Sequence, residues 1–342
     1  MNKQIVFTKV NTAELLETEL RPLNDNEVKV KTLFHTMSNG TEKANITGEP
    51  NISIFAKGDA PVVFPRYCGY SSSGIVEEVG AGVKTLKVGD KVAMSWSKYC
   101  AYNIVPEENA VKIEDDRVSM REASMAHIAT FPMGAIRKTR LEMGESAMVM
   151  GLGILGLLAI GLLRAAGAVP VIAVDPVKER REKALRFGAD YAFDPFDEDF
   201  AQKVKEVTHG GVNVCIEVTG IGAGLNGALD CMAKFGRVAL LGCTRSSDFS
   251  VDYYHKVHGP GISLIGAHTM ARPVNETSAG MFTTADDVRT VLELCAKGRL
   301  DLKSIIDETH SPKECEEVFD RLVNDKNFPN VVQFNWEDIH NA

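Results

Sequence analysis

The chain has 342 residues, 44% hydrophobic and 25% charged, a globular composition long enough for two domains with cores of their own. A formal charge of −8 and a pI near 5.6 exclude the basic surface that nucleic-acid phosphates reward, so no nucleic-acid partner is expected. The 7 cysteines are scattered with no Cys-x-x-Cys pair, which excludes a disulfide framework and the usual structural-zinc spacing and fits a reducing, cytoplasmic setting.

Met1 to Leu20 alternates apolar with charged and amide residues and has no signal-peptide core. Short alternating runs predict strands at Lys3–Thr8, Glu27–Leu33, Gly74–Val79, Asp90–Met94 and Cys100–Val105. Turn formers such as Gly80–Ala81–Gly82 and Val88–Gly89–Asp90 separate them. From about Arg121 the texture changes to helical segments alternating with short apolar strands, the βαβ pattern of a parallel sheet. Strands are predicted at Ala147–Met150, Pro170–Asp175, Tyr191–Phe193, Asn213–Val218, Arg237–Leu241 and Ile262–Gly266. Helices are predicted at Leu155–Ala166, Lys178–Phe187, Phe200–Thr208 and Gly222–Lys234. The uncharged stretch Ala147–Leu163 reads as strand, glycine turn and buried helix, not as a membrane span, and no membrane partner is expected. After an irregular stretch, Met270–Thr284, come a helix near Asp286–Lys297, a strand near Ile305–Thr309, a helix at Pro312–Leu322 and a strand at Val331–Asn335. This tail most simply returns to pair with the N-terminal β region.

The turn Gly151–Leu152–Gly153–Ile154–Leu155–Gly156 follows an apolar strand and opens a helix. In that context Gly151 permits the sharp turn, Gly153 lets backbone amides approach a pyrophosphate, and Gly156 allows close helix–strand packing. Amides at the helix start, including those of Ile154 and Leu155, together with the helix dipole, favour phosphate. Asp175 ends the next strand, where a carboxylate can accept ribose hydroxyls and repels a 2′-phosphate, so NAD is expected over NADP. Lys178, Arg180 and Arg181 are the opposing signal, read here as the first turns of a solvated helix.

The segment Gly69–Tyr70–Ser71–Ser72–Ser73–Gly74–Ile75–Val76–Glu77–Glu78–Val79–Gly80, with Gly82, Val83 and Gly89–Asp90–Lys91–Val92, resembles the signature of the medium-chain dehydrogenase/reductase superfamily. The resemblance extends through Gly151–Gly156, Ala184–Gly188–Ala189–Asp190, Glu217–Gly220 and Gly236–Val238–Gly242, in order along the whole chain. It implies an α/β fold: a GroES-like β domain from residues 1–125 and 272–342, and a doubly wound Rossmann domain at 126–271. It also implies a nicotinamide-binding cleft to which Thr219 and Gly242 contribute, and a homo-oligomer, dimer or tetramer.

The departures from that pattern carry the chemistry. Zinc-dependent members have Cys-Gly-(Ser/Thr)-Asp where this chain has Asn39–Gly40–Thr41–Glu42. Tyr70 and Ser71 replace the His and Glu of Gly-His-Glu, and the third metal position falls at His127. With neither thiolate nor carboxylate at those three positions, no zinc is expected, although Glu42 with His127 leaves room for a weakly held metal. Hydrogen-bond donors must then stabilise charge on the substrate oxygen, and the vacated positions supply Tyr70 and Asn39 as donors and His127 as donor or base. Thr41 matches a proton-relaying hydroxyl of the zinc members. Each has a plainer alternative: Tyr70 as a pocket wall, His127 as an interior histidine, Asn39 and Thr41 as turn formers. A polar run at Asp252–His258 resembles members acting on sugars or polyols, and its His–x–x–His spacing suggests a helix face.

The expected activity is hydride transfer between nicotinamide and a secondary alcohol or carbonyl, with sugars and polyols as candidate substrates. A quinone or enone reductase and a non-catalytic dinucleotide-binding redox sensor are the alternatives. The loop Ile46–Arg66 is expected to shape the substrate pocket.

Overall fold

The structure is a computed structural model and describes residues 1–52, 62–247 and 249–341; part of the Ile46–Arg66 loop lies outside the described residues. In chain order the first elements are β1 (Asn2–Lys9), β2 (Thr12–Thr18), β3 (Glu27–Thr36), α1 (Asn39–Ile46), β4 (Ser71–Val79), β5 (Lys91–Ser95), β6 (Tyr102–Pro106), β7 (Ala110–Lys112) and α2 (Met120–Ala123). Next come α3 (Ala126–Thr139), β8 (Ala147–Met150), α4 (Ile154–Ala165), β9 (Val171–Val174), α5 (Lys178–Phe187), β10 (Tyr191–Phe193) and α6 (Phe200–Val207). Then follow β11 (Val212–Glu217), α7 (Gly222–Asp230), β12 (Met232–Leu240), β13 (Ser263–Gly266), α8 (Thr284–Ala296), β14 (Glu308–His310), α9 (Cys315–Asn324), β15 (Val332–Asn335) and α10 (Glu337–His340).

The chain divides into two compact units, one of residues 1–128, 288–296 and 306–342, the other of residues 129–287 and 297–305. Residues 272–287 and 297–305 therefore group with the second unit, whereas the sequence reading assigned 272–342 as a block to the first.

The first unit is β-rich. One antiparallel path runs β15–β3–β4–β5–β7, with β14 parallel on the outer side of β15 and β6 paired to the other end of β3. The chain tail thus pairs with the N-terminal strands, Gln333 opposite Thr36. Alternation along β3 and β5 puts Val28, Val30, Val92 and Met94 inside. A second cluster gathers Phe7, Met37, Tyr99, Phe319, Phe334 and Trp336. Sequence patterning missed β2, which carries charged residues, and the three-residue β7, and the alternative of Asn39 and Thr41 as turn formers gives way to α1, which begins at Asn39.

The second unit is a six-stranded, all-parallel sheet in the order β10–β9–β8–β11–β12–β13. Numbered from β8, this is 3-2-1-4-5-6, the doubly wound dinucleotide-binding order. Every residue of β8 and β9 is buried, as strands covered on both faces require. Nine of the twelve residues of α4 are buried as well, which accounts for the absence of charge before Arg164 in its last turn. Among the described residues no helix is long and apolar enough to cross a membrane. Helix α7 stops at Asp230, four residues before the predicted end, because Met232 already pairs with Val212 in β12.

Candidate functional site

The glycine turn sits between β8 and α4, beside the point where strand order reverses between β8 and β11. Gly151 has φ +99°, a left-handed conformation, and a Cβ there would come within 2.9 Å of the Thr219 methyl. A Cβ on Gly156 would lie 1.9 Å from the Gly151 carbonyl, so only glycine lets the helix approach the turn. At Gly153, the α4 N-cap, the Cβ direction is open, leaving the first-turn amides of Ile154 and Leu155 accessible to an anion.

Asp175 is buried just beyond β9. Its carboxylate accepts the amide of Leu152 at 2.9 Å and that of Val177 at 2.8 Å. The acid therefore fixes the glycine turn and the start of α5, and each oxygen keeps lone-pair capacity for a ribose hydroxyl. Arg180 lies 3.7 Å from Asp175. Arg181 is not on a solvated face: its guanidinium donates to the Asp175 carbonyl at 2.7 Å and pairs with Asp194 at 2.9 Å. Only Lys178 extends into solvent as expected.

The first unit brings Tyr70 and His127 together. Their rings meet edge-on at 5.9 Å, and Trp96 closes the group at 4.7 Å from His127 and 6.3 Å from Tyr70. His127 is buried at the start of α3, while Trp96 is 41% exposed and forms the open wall. Trp96 escaped the sequence reading. It stands in a Ser–Trp–Ser turn after β5, has φ +59°, and donates its backbone N–H to the Tyr70 carbonyl at 2.8 Å. Ser71 anchors the histidine from below: its hydroxyl donates to the Ser124 carbonyl at 2.7 Å and accepts the Ile128 amide at 3.3 Å. Gln333 donates to the Ser124 hydroxyl at 3.0 Å and to Thr36 at 3.1 Å, so the buried polar floor is hydrogen-bonded throughout.

Asn39 faces elsewhere. Its amide donates to the carbonyls of Pro329 at 2.7 Å and Asn330 at 3.2 Å, so its donors are already used. Thr41 is half-buried in the first turn of α1, its carbonyl accepting the Asn45 amide at 2.9 Å. Glu42 turns into the core, where it accepts the Tyr99 hydroxyl at 3.2 Å, and burial raises its pKa to about 8. Beside it the His35 ring packs at a tilt against Tyr99, centroids 4.2 Å apart, and burial lowers its pKa to about 3. Neither nitrogen of His35 has a hydrogen-bond partner among the described residues. Burial also pushes the Cys68 thiol up, so this cluster is uncharged at neutral pH.

Comparison with known proteins agrees with the geometry. The description "Alcohol dehydrogenase GroES-like domain" matches residues 25–140, and "Zinc-binding dehydrogenase" matches residues 155–297. An L-threonine 3-dehydrogenase of Pyrococcus abyssi is 30% identical over 75% of this chain and 79% of its own length. A D-guloside 3-dehydrogenase of Shigella flexneri is 27% identical over 89% of this chain and 91% of its own. A solved structure described as a short chain alcohol dehydrogenase from E. coli CFT073, complexed with NADH, superposes with TM-score 0.82 at 20% identity, covering 98% of this chain and 99% of that one.

The chain belongs to the medium-chain dehydrogenase/reductase superfamily. It is an oxidoreductase of the alcohol dehydrogenase-like type.

Within this superfamily the question is whether the metal positions can hold zinc. Asn39 has committed its amide to backbone carbonyls, Tyr70 and His127 pack against Trp96, and Glu42 is held neutral. Among the described residues no group of three or more His, Cys, Asp or Glu is arranged to hold an ion. Zinc takes four ligands that include thiolate, imidazole or carboxylate, and of Asn39, Tyr70 and His127 the histidine alone carries such a group. The run at 252–258 forms a helical turn on the surface of the second unit. There His255 pairs with Asp252 at 2.9 Å, and Tyr253 and Tyr254 are exposed.

Proposed function

We propose that this dehydrogenase uses NAD(H), works without zinc, and interconverts a secondary alcohol and a carbonyl on a sugar or polyol. The observation that carries the reading is that Tyr70 and His127, at two of the positions where zinc-dependent members bind metal, meet each other and Trp96. Asp175, buried against the glycine turn, supports NAD over NADP because a 2′-phosphate would meet its carboxylate.

Oxidation removes a hydride from the carbinol carbon and a proton from its hydroxyl, leaving the carbonyl. NAD, when bound, supplies the hydride acceptor. The chain must stabilise developing negative charge on the substrate oxygen and take the proton. The Tyr70 hydroxyl is the donor in this scheme, His127 is the base, and Thr41 relays the proton onward. The half-exposed Trp96 ring offers an apolar face to the C–H groups of a sugar, and the polar atoms around it suit hydroxyl recognition. The D-guloside 3-dehydrogenase relative, similar along most of the chain, supports a sugar substrate.

NADH absorbance with polyols, sugars, simple alcohols, quinones and enones, on untagged protein analysed for metals, tests the reading. Expected are turnover with hydroxyl-rich substrates and substoichiometric zinc. Tyr70→Phe and His127→Ala should each lower kcat/KM at least about tenfold. A tightly bound zinc in every chain ends the metal-free scheme, and both variants retaining full activity ends the assignment of the base and donor. Reduction of enones alone makes this a quinone or enone reductase; no turnover at all favours a redox sensor.

A further inference from the structure

At the carboxyl ends of β11 and β12, two loops line the crevice beside the glycine turn, and one residue ties both. The Glu217 backbone carbonyl accepts the amides of Leu241 and Gly242, each at 2.9 Å. Its buried carboxylate accepts the Thr219 amide at 2.8 Å, the Thr219 hydroxyl, and the Gly220 amide at 3.3 Å from both oxygens. The Thr219 hydroxyl in turn accepts the Ile221 amide at 3.3 Å, at the entry to α7. The loops then close on each other with no room to spare. Gly220 has φ +67°, and a Cβ on Gly242 would come within 2.3 Å of the Gly220 nitrogen.

A doubly wound sheet binds a dinucleotide as two mononucleotide halves meeting at the strand-order reversal. The first half, β8 to β10, carries the glycine turn and Asp175 for the adenosine side. The second half begins with β11, so Glu217 and the loops it holds belong to the nicotinamide side.

We propose that Glu217 is a positioning residue for the nicotinamide half of the cofactor, acting through the Thr219–Gly220 and Leu241–Gly242 loops it holds together. This rests on the reading that the second unit binds NAD(H). Glu217 accepts only donors. An amide in its place would keep the Thr219 contacts and turn an NH2 towards the Gly220 N–H, leaving two buried donors face to face. The loop must then shift, while Asp175 and the glycine turn stay anchored on β8 and β9.

The experiment compares equilibrium binding of NADH with that of AMP, which occupies the adenosine half alone. Wild type, Glu217→Gln and Thr219→Val are measured by fluorescence and calorimetry. Expected is at least a tenfold loss of NADH affinity in Glu217→Gln, a smaller loss in Thr219→Val, and AMP affinity within twofold of wild type in both. Parallel loss of NADH and AMP binding means general damage to the unit and overturns the proposal, as does unchanged NADH binding in Glu217→Gln. Wild-type protein that binds neither NADH nor AMP overturns the cofactor reading itself, and this proposal with it.

Discussion

At the scale of single residues, His35 and Glu42 are held neutral by burial alone, and their titrations oppose each other. His35 has its pKa lowered to about 3 in the fold, so its contribution to stability is present above about pH 6.5 and is lost as pH falls towards 3. Glu42 has its pKa raised to about 8, so the fold favours its protonated form, and stability declines as pH rises from the ordinary carboxylate value of 4.5 through 8. Glu42→Gln removes that second slope. Urea unfolding from pH 5.5 to pH 8 should show the variant gaining on wild type by on the order of 2 kcal/mol, less than the full shift because a buried carboxyl site relaxes. A difference that stays constant with pH would mean Glu42 ionises freely in the fold. Neither residue could be read this way from sequence. Glu42 matches the Asp of the Cys-Gly-(Ser/Thr)-Asp pattern, and nothing local says that α1 turns it onto Tyr99. The place of Asp175 against the glycine turn was legible because its signal is local: an acid ending the strand that follows that turn.

Elements were legible where burial made the sequence speak. β8, β9 and β11 are nearly continuous apolar runs, and the structure returns them within a residue or two of the predicted bounds. The helix predicted near Asp286–Lys297 appears as α8, Thr284–Ala296, but the residue that fixes its start acts across distant sequence. Asp287 is buried in the first turn of α8 and holds Arg137 of α3 at 2.8 Å and Arg272 at 3.1 Å. Arg272 also donates to the Thr130 carbonyl at 2.7 Å, in a space left by Gly134, where a Cβ would sit 2.5 Å from the guanidinium. The irregular stretch after Thr269 is thus pinned to α3 at both ends, and Arg137 stacks over Phe282 at 3.6 Å within it. Asp287→Ala leaves two desolvated guanidinium groups without their carboxylate. It should cost about 3 kcal/mol or more in denaturant unfolding, with Asp287→Asn recovering part of the loss. A cost below about 1 kcal/mol would mean the arginines find water once released.

For the whole molecule, the order of the six-stranded sheet leaves β10 and β13 as its two edges. An unpaired edge is a liability that proteins blunt, cover or use for assembly. β13 is not blunted: its sequence is Ser–Leu–Ile–Gly, and Leu264 is 40% exposed. The Ala267 amide points inward to the Leu240 carbonyl at 3.1 Å, so by strand alternation the Ile265 amide also faces β12 and that of Leu264 faces outward. This geometry suits pairing with the same edge of a second copy, an isologous contact that would continue the sheet. Proline is tolerated on an edge strand where its missing N–H would have faced away from the ladder, so Leu264→Pro should spare the fold and block the pairing. Light scattering should find wild type as a dimer or larger and the variant as a monomer, with thermal unfolding midpoints a few degrees apart. A monomeric wild type would leave the edge to some other cover, and a variant that still assembles would move the interface off β13.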